Sequence, residues 1–169
     1  PYIVMEKGQT LREFLVGKTL SEDLALEITA EILRALSHMQ RLYVHNDVHP
    51  DNVLVWHDRS GRIRVKLIDL ALATDVKKAG LFADHHTIGA KDYRAPEVDS
   101  TTPHWPSPSR DVYSVGVILG KLMTGISDTY LLASKFQSSD QVSARIMMRA
   151  LSGNPQARYP SAEAMLAGG

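Results

Sequence analysis

The chain of 169 residues carries 19 basic and 19 acidic side chains, so its formal net charge is zero, and nothing in it favours nucleic acid or an anionic membrane surface as a partner. Hydrophobic residues make up 44% of it, enough for one globular domain with a sizeable core. Cysteine is absent, which excludes disulfides and thiolate metal sites, and the longest apolar runs fall short of the ~20 residues that a membrane helix needs. We therefore expect a cytoplasmic protein, and the start at Pro1 rather than Met predicts a fragment or a processed product.

Strand and helix signals open the chain. Residues 2–5 are apolar and predict a short strand, which the polar residues 6–9 interrupt. Thr10 and Glu13 have the spacing of a capping box and predict a short helix, and a longer helix is predicted to begin near Ser21. The apolar positions of this longer helix recur at steps of three and four residues and indicate a face turned to the core: Leu24, Ile28, Ile32, Ala35, Leu36 and Met39.

Residues 43–52 hold the candidate chemistry of the chain. Pro50 forbids a regular helix there, so Asp47 and Asn52, five positions apart, are predicted to lie on one loop. An Asp can orient a hydroxyl and accept its proton, while an Asn at this spacing can bind magnesium beside a transferred phosphoryl group. Each residue alone is more often a turn former, but the ordered set with Asp69 is typical of a phosphotransferase.

Two apolar runs follow this loop. Residues 53–56 and 63–68 predict strands, and the turn former at 58–61 predicts that they pair as a hairpin. Asp69 comes directly after the second strand, which makes it the candidate for a second magnesium ligand.

The second half of the chain alternates irregular segments with helices. From Asp69 to about Arg110 no periodicity is visible, and residues 101–109 predict an irregular surface loop. A helix that is apolar on nearly every side is predicted over residues 111–125, with Gly125 as its C-cap. Three further elements are predicted after it: an amphipathic helix over 142–151, a turn over 154–160 and a helix from Ser161.

In their order, these motifs resemble the catalytic domain of the eukaryotic-type protein kinase family, and of that domain only the C-terminal lobe. Residues 45–52 resemble the catalytic loop, Asp69 the metal-binding motif, and the Ala-Pro-Glu at 95–97 the end of the activation segment. The resemblance implies an α+β, protein-kinase-like fold, with a mainly α-helical C-terminal lobe and a small β-hairpin at the catalytic cleft. Residues 1–9 would be the last strand of the N-terminal lobe and the hinge, and residues 10–169 the C-terminal lobe.

The resemblance also implies the site residues and the cofactors, which are ATP and Mg²⁺. The implied catalytic residues are Asp47, which orients the substrate hydroxyl, His49, which assists at the phosphate, and Asn52. The implied nucleotide site comprises Met5, which would be the gatekeeper, with Glu6, Gly8, Asn52, Leu54 and Asp69. Of these, Asn52 and Asp69 would hold the magnesium.

Two structural contacts follow from the same resemblance. Asp111 is expected to brace the backbone of the catalytic loop, and Arg158 is expected to pair with Glu97. Three hydroxyls between Asp69 and Arg110 are possible phosphoacceptors: Thr74, Thr87 and Tyr93.

Four positions depart from the family pattern. Asn46 replaces the Arg that reads a phosphate on the activation segment, so control by phosphorylation of that segment is doubtful. His49 stands where Ser/Thr kinases have a Lys, and a His is only partly protonated at neutral pH. Ala71 replaces a Gly, and Ala90 replaces a Thr whose hydroxyl normally bridges to the catalytic Asp.

The resemblance favours a Ser/Thr protein kinase that acts on a protein substrate, weak or inactive as this chain alone because the N-terminal lobe is not part of it. Nucleic acid and membranes are not expected as partners, and docking to an N-terminal lobe or to another kinase is possible. Two alternatives stay open. Residues 49–52 also resemble the aminoglycoside and choline phosphotransferases, and a non-catalytic pseudokinase could bind other kinases through its apolar surface.

Overall fold

The computed structural model describes residues 8–77, 89–100 and 106–168, and over these ranges the chain is α+β, as predicted. The helices are α1 (Leu11–Phe14), α2 (Glu22–Met39), α3 (Pro108–Thr124), α4 (Thr129–Phe136), α5 (Val142–Ala150) and α6 (Ala162–Ala167). The strands are β1 (Gln9–Thr10), β2 (Tyr43–Val44), β3 (Val53–His57), β4 (Ile63–Leu67) and β5 (Thr74–Asp75). Short 3₁₀ helices lie at Pro50–Asn52, Lys91–Tyr93, Pro96–Asp99 and Pro155–Ala157. The predicted strand over residues 2–5 lies outside the described residues.

Capping side chains fix the starts of α1 and α2. The Thr10 hydroxyl accepts the Glu13 N–H at 3.2 Å, and the Glu13 carboxylate accepts the Thr10 N–H at 2.8 Å, so the predicted capping box is confirmed. The Ser21 hydroxyl accepts the Leu24 N–H and caps α2, also as predicted. The apolar stripe of α2 faces the core and is completely buried at three of its positions: Ile28, Ile32 and Leu36.

Helix α3 runs through the interior and has buried side chains from Ser109 to Gly120, as its apolar composition predicts. It begins at Pro108, so the predicted start at Asp111 was wrong, as was the prediction of a loop that extends to Ser109. Proline fits the first helical position because its φ is already helical and its missing N–H has no partner there. The predicted C-cap is confirmed, since Gly125 follows the helix with a φ of 76°.

Strands β3 and β4 form the predicted antiparallel hairpin, in which Val53 lies opposite Leu67. The turn is held by Asp58, whose Oδ1 accepts hydrogen bonds from the Ser60 hydroxyl (2.6 Å) and from the N–H groups of Ser60 (2.8 Å) and Arg62 (3.1 Å). These donors, the hydroxyl above all, lower the pKa of Asp58 to about 2. The carboxylate therefore stays charged and closes the turn.

Two short strand pairings were not predicted from the sequence. Thr10 in β1 lies opposite Leu54 in β3, and Val44 in β2 lies opposite Thr74 in β5, both antiparallel. Strands of two residues are too short to show an alternating pattern. The first pairing joins the start of the described chain to the hairpin, and the second joins the loop at residues 43–52 to the segment after Asp69.

The C-terminal part is helical. Helices α5 and α6 lie where the sequence predicts them, and the Ser161 hydroxyl caps α6 by accepting the Ala164 N–H at 3.2 Å. Helix α4, capped by Asp128, was not predicted. No single helix among the described residues is long and apolar enough to cross a membrane, and α3 and α4 reach that length and hydropathy only as a pair bent by 65°.

Two glycines allow α3 to pack closely against its neighbours. A Cβ atom at Gly116 would lie 2.9 Å from the Cβ of Ala150 in α5, and one at Gly120 would lie 2.4 Å from Cδ1 of Leu132 in α4. Carbon atoms pack best at about 3.5–4.0 Å, so a side chain at either position would overlap its neighbour unless that neighbour moved.

We expect the substitution Gly116→Val to lower the free energy of unfolding by about 1 to 3 kcal/mol, the usual cost of overpacking a core. The matched control is Gly153→Val, because Gly153 is exposed and a Cβ there meets no atom within 4 Å. Urea unfolding followed by circular dichroism measures both variants. Equal losses of stability would contradict the close contact of α3 with α5.

Candidate active site

The backbone of the loop that carries Asp47 is hydrogen-bonded to a buried carboxylate on α3. Asp111, 1% exposed, accepts hydrogen bonds from the backbone N–H groups of His45 (3.0 Å) and Asn46 (2.9 Å) and from the side-chain amide of Gln40 (3.1 Å). Burial raises the pKa of Asp111, while these donors favour its charged form and oppose that shift. The expected contact between Asp111 and the loop backbone is therefore present, and Gln40 adds a donor that sequence reasoning missed.

Asp47 and Asn52 lie together on this loop. The side-chain amide of Asn52 donates to the carbonyl oxygen of Asp47 at 3.0 Å and to its Oδ2 at 3.1 Å. From the opposite side, the backbone N–H of Ala90 donates to Oδ1 of Asp47 at 2.8 Å. Each carboxylate oxygen of Asp47 thus has its own donor, and the orientation of the carboxylate is fixed.

His49 lies between two carboxylates. Its Nε2 is 3.5 Å from Oδ2 of Asp47, and its Nδ1 is 3.3 Å from Oδ2 of Asp51. Arg12 on α1 binds both oxygens of Asp51, with Nη2 at 2.7 Å from Oδ2, and this hydrogen bond lowers the pKa of Asp51. Sequence analysis singled out His49 but missed Arg12 and Asp51, because residues 39 positions apart leave no local signal of their contact.

Asp69 follows a residue that is hydrogen-bonded to the loop. The N–H of Ile68 donates to the carbonyl oxygen of Asn52 at 3.0 Å. This hydrogen bond places the backbone segments that carry the two predicted metal ligands, Asn52 and Asp69, next to each other. Asp69 is exposed, has a φ of 60°, and accepts the Ala71 N–H at its Oδ1. No group of three or more His, Asp or Glu side chains within the described ranges could hold a metal ion. Asn52 and Asp69 nevertheless fit magnesium, which commonly takes one or two protein ligands and completes its shell with phosphate and water oxygens.

Two of the predicted nucleotide residues are neighbours in the fold. A Cβ atom at Gly8 would lie 3.4 Å from the Cβ of Leu54, which is buried in β3. Gly8, the first described residue, therefore packs against the β3–β4 hairpin at Leu54. Met5 and Glu6 of the same predicted set lie outside the described residues, so their predicted contacts stay predictions.

Gly89 allows the segment before the Ala-Pro-Glu motif to reach the loop of residues 43–52. Its φ is 92°, and a Cβ atom there would lie 2.5 Å from the carbonyl oxygen of Asn46, which is closer than any side chain permits. This approach places the N–H of Ala90 on Asp47. The Thr hydroxyl expected by the family pattern is missing at Ala90, but the backbone at the same residue supplies a donor to the same carboxylate.

Asn46 connects the loop to the segment that follows Asp69. It adopts a φ of 65°, and its side-chain amide lies within hydrogen-bond distance of the oxygens of Val44 (3.3 Å), Leu72 (2.9 Å) and Thr74 (3.0 Å). The last of these is the Thr74 hydroxyl, so one predicted phosphoacceptor already has a partner in this structure.

The other two predicted phosphoacceptors differ. The Tyr93 side chain is 4% exposed, and its hydroxyl accepts a hydrogen bond from Lys121 Nζ at 2.9 Å, which makes it a poor acceptor of phosphate in this conformation. Thr87 lies outside the described residues, so its modification stays a prediction.

A buried ion pair ties the Ala-Pro-Glu motif to the C-terminal part of the chain. Arg158 donates from Nη1 and Nη2 to the two oxygens of Glu97 at 2.8 and 2.7 Å, and the two side chains are 0% and 6% exposed. The Arg158 guanidinium also lies 4.9 Å from the centre of the Tyr113 ring. The expected pair of Glu97 with Arg158 is confirmed.

Comparison with known proteins agrees with this geometry. The family model of the protein kinase domain matches residues 1–165. The serine/threonine-protein kinase PrkC of Bacillus subtilis is 29% identical over 97% of this chain and 28% of its own length. A probable serine/threonine-protein kinase of Streptomyces coelicolor is 31% identical over 98% of this chain and 27% of its own length, and sperm motility kinase 3A of Mus musculus is 31% identical over 98% and 35%.

The chain therefore belongs to the protein kinase family, and its relatives include serine/threonine kinases. It spans between 27% and 35% of the length of the three relatives above.

We expect Asn46→Ala to lower the free energy of unfolding by about 2 to 4 kcal/mol, because it removes the amide contacts and forces a Cβ-bearing residue without a polar side chain into a left-handed conformation. Asn46→Gly is the matched variant, since glycine adopts this φ without strain and mainly loses the hydrogen bonds. Chemical unfolding of both variants measures the difference. If Gly destabilises as much as Ala, the strain at Asn46 makes no contribution.

We expect Glu97→Gln and Arg158→Met each to lower the free energy of unfolding by about 3 to 5 kcal/mol, because each leaves a buried charge without its partner. In the double variant the losses should not add, since both substitutions remove one interaction. A double-mutant cycle by chemical denaturation measures the coupling. Additive losses would show that the pair does not tie the two segments together.

Proposed function

We propose that the protein carrying this chain is a serine/threonine protein kinase that transfers the γ-phosphate of ATP to Ser or Thr hydroxyls of a protein substrate. The observation that supports this best is the fixed carboxylate of Asp47, held by Asn52 on one side and by the Ala90 N–H on the other. Specificity for Ser and Thr is supported by the names of the relatives.

Asp47 is the proposed acceptor of the substrate proton. In the transfer, the bond from the γ-phosphorus to the bridging oxygen of ADP breaks, and a bond from phosphorus to the substrate oxygen forms. Asp47 orients the hydroxyl and takes up the proton that the hydroxyl loses. The donors from Asn52 and Ala90 stop the carboxylate from rotating, so the hydroxyl meets an acceptor that is already in position.

Asn52 and Asp69 are the proposed magnesium ligands. The side-chain amide nitrogen of Asn52 is directed at Asp47, which leaves its carbonyl oxygen on the other arm of the amide for the metal. When bound, magnesium neutralises negative charge on the phosphate oxygens. The hydrogen bond from the Ile68 N–H to the Asn52 carbonyl oxygen keeps the backbone before Asp69 next to Asn52.

The adenine is proposed to bind where Gly8 and Leu54 meet, with Met5 and Glu6 on the preceding segment. In this proposal residues 1–9 are the last strand of the N-terminal lobe and the hinge, and residues 10–169 form the C-terminal lobe. A complete ATP site would then need an N-terminal lobe, which is why this chain alone is proposed to be weak or inactive. The protein is proposed to act in the cytoplasm on a protein substrate.

A small-molecule phosphotransferase is the second candidate, because His49 and the residues after it resemble that group. The buried pair of Glu97 and Arg158 favours the protein kinase. It anchors the Ala-Pro-Glu motif, and in the protein kinases this motif supports the loop that binds a substrate peptide.

The test uses the full-length protein and compares Asp47→Asn with the control Asp140→Asn, an exposed carboxylate outside the site. We expect Asp47→Asn to lower the rate of magnesium-dependent phosphate transfer to a generic Ser/Thr protein substrate by about a hundredfold or more, the usual contribution of a general base. The KM for ATP should stay within about twofold of the wild-type value, because Asp47 does not bind the nucleotide. The control should transfer phosphate at the wild-type rate.

Three other results would contradict the proposal. Transfer only to choline or an aminoglycoside would favour the small-molecule kinase. Partner binding without any ATP turnover would favour a non-catalytic regulator. Equal transfer rates in wild type and Asp47→Asn would show that Asp47 is not the acceptor of the substrate proton.

A further inference from the structure

The ion pair of Arg12 and Asp51 lies at the surface and has little to contribute to stability. The side chain of Arg12 is 52% exposed and that of Asp51 is 41% exposed. Most exposed ion pairs contribute little to folding. The bidentate contact does restrict the orientation of the Asp51 carboxylate.

Asp51 is also held from its backbone side. It is the middle residue of the 3₁₀ helix Pro50–Asn52, and the N–H of Asn52 donates to the carbonyl oxygen of His49 at 2.9 Å. Pro50 fixes its own φ at the start of this turn. The turn thus fixes the backbone of Asp51, and the Arg12 guanidinium fixes its carboxylate. In this position Oδ2 of Asp51 is directed at Nδ1 of His49.

The orientation of the His49 ring follows from this contact. Its Nδ1 lies 3.3 Å from Asp51, and its Nε2 lies 3.5 Å from Oδ2 of Asp47 on the far side of the ring. The Tyr93 ring, with its centre 6.2 Å from that of His49, lies beside it. Both nitrogen contacts are long for hydrogen bonds, as is common for catalytic contacts before substrate binds.

We propose that Arg12 and Asp51 are positioning residues for His49: Asp51 accepts a hydrogen bond from Nδ1–H of the imidazole and so turns Nε2 toward the side of Asp47, and Arg12 holds Asp51 in place. The proposal rests on the proposed kinase function, because it assigns the pair to the same reaction. It explains how a His can work at a position where the family has a Lys. A Lys ammonium donates in any rotation, whereas an imidazole has two different nitrogens, so its ring must be oriented before Nε2 faces the reacting groups. With Nδ1–H bound to Asp51, Nε2 donates when both nitrogens of the ring carry a proton and accepts when only Nδ1 does.

The first experiment reads the tautomer directly. Full-length protein with ¹⁵N-labelled histidine is compared by NMR as wild type and as Asp51→Ala, with the His49 signals assigned by their loss in His49→Gln. We expect Nδ1 of His49 to carry a proton in the wild type and to lose it in part or entirely in Asp51→Ala. An unchanged Nδ1 signal in Asp51→Ala would overturn the proposal, whether or not the protein transfers phosphate.

The second experiment separates kcat from KM. Asp51→Ala and Arg12→Gln should lower kcat by about tenfold to a hundredfold, the range expected when a catalytic group is misplaced, while the KM for ATP changes less than about twofold. Arg12→Lys should recover part of the loss, since it keeps the charge but not the bidentate contact. The matched control is Arg34→Gln, which removes an ion pair on α2 whose Arg side chain is 56% exposed, close to the 52% of Arg12.

The outcomes distinguish this proposal from the proposed function. If kcat of Asp51→Ala and Arg12→Gln equals that of Arg34→Gln, the pair does not position His49 for catalysis and the proposal fails. If the wild type has no activity, the kinase function fails. The NMR comparison of wild type with Asp51→Ala still shows whether Asp51 orients the His49 ring.

Discussion

The active-site loop depends on one buried carboxylate. Asp111 accepts the backbone N–H groups of His45 and Asn46, which would otherwise lie against the core without partners. Because Asp111 is part of α3, the position of Asp47 is set by the most deeply buried helix of the described chain. The packing of α3 is fixed in turn by its contacts with α4 and α5 at Gly116 and Gly120. A buried helix thus determines where the partly buried carboxylate of Asp47 lies.

Two of the departures from the family pattern share one feature, which is that contacts within the folded chain stand where the family uses another side chain or a phosphate. The backbone N–H of Ala90 contacts the carboxylate that a Thr hydroxyl would contact, and Gly89 makes that approach possible. The uncharged amide of Asn46 joins the catalytic loop to β5, at the position of an Arg that would need a phosphate on the segment. Contacts of this kind need no modification of the chain.

The sequence predicted the parts of the site that have local patterns. The spacing of Asp47 and Asn52, the hairpin that follows them and the capping of α1 and α2 depend on residues a few positions apart, and the structure agrees with them. The start of α3 was misplaced because Pro108 looks like a loop residue until it is seen in the first helical turn. Helix α4 and the two-residue strands were missed because they are too short to show a period. Arg12 gave no signal, since its partner Asp51 is distant in the chain.

The sequence by itself determined which side chains are available for chemistry and the order in which they occur, because residue type and short-range spacing already restrict what a loop with Asp47, His49 and Asn52 can do. Only the tertiary structure decided how these side chains are held. The contacts of Ala90 with Asp47 and of Asp51 with Arg12 join residues 43 and 39 positions apart. Such contacts form only when the core brings distant segments together, and no local pattern of residues encodes them.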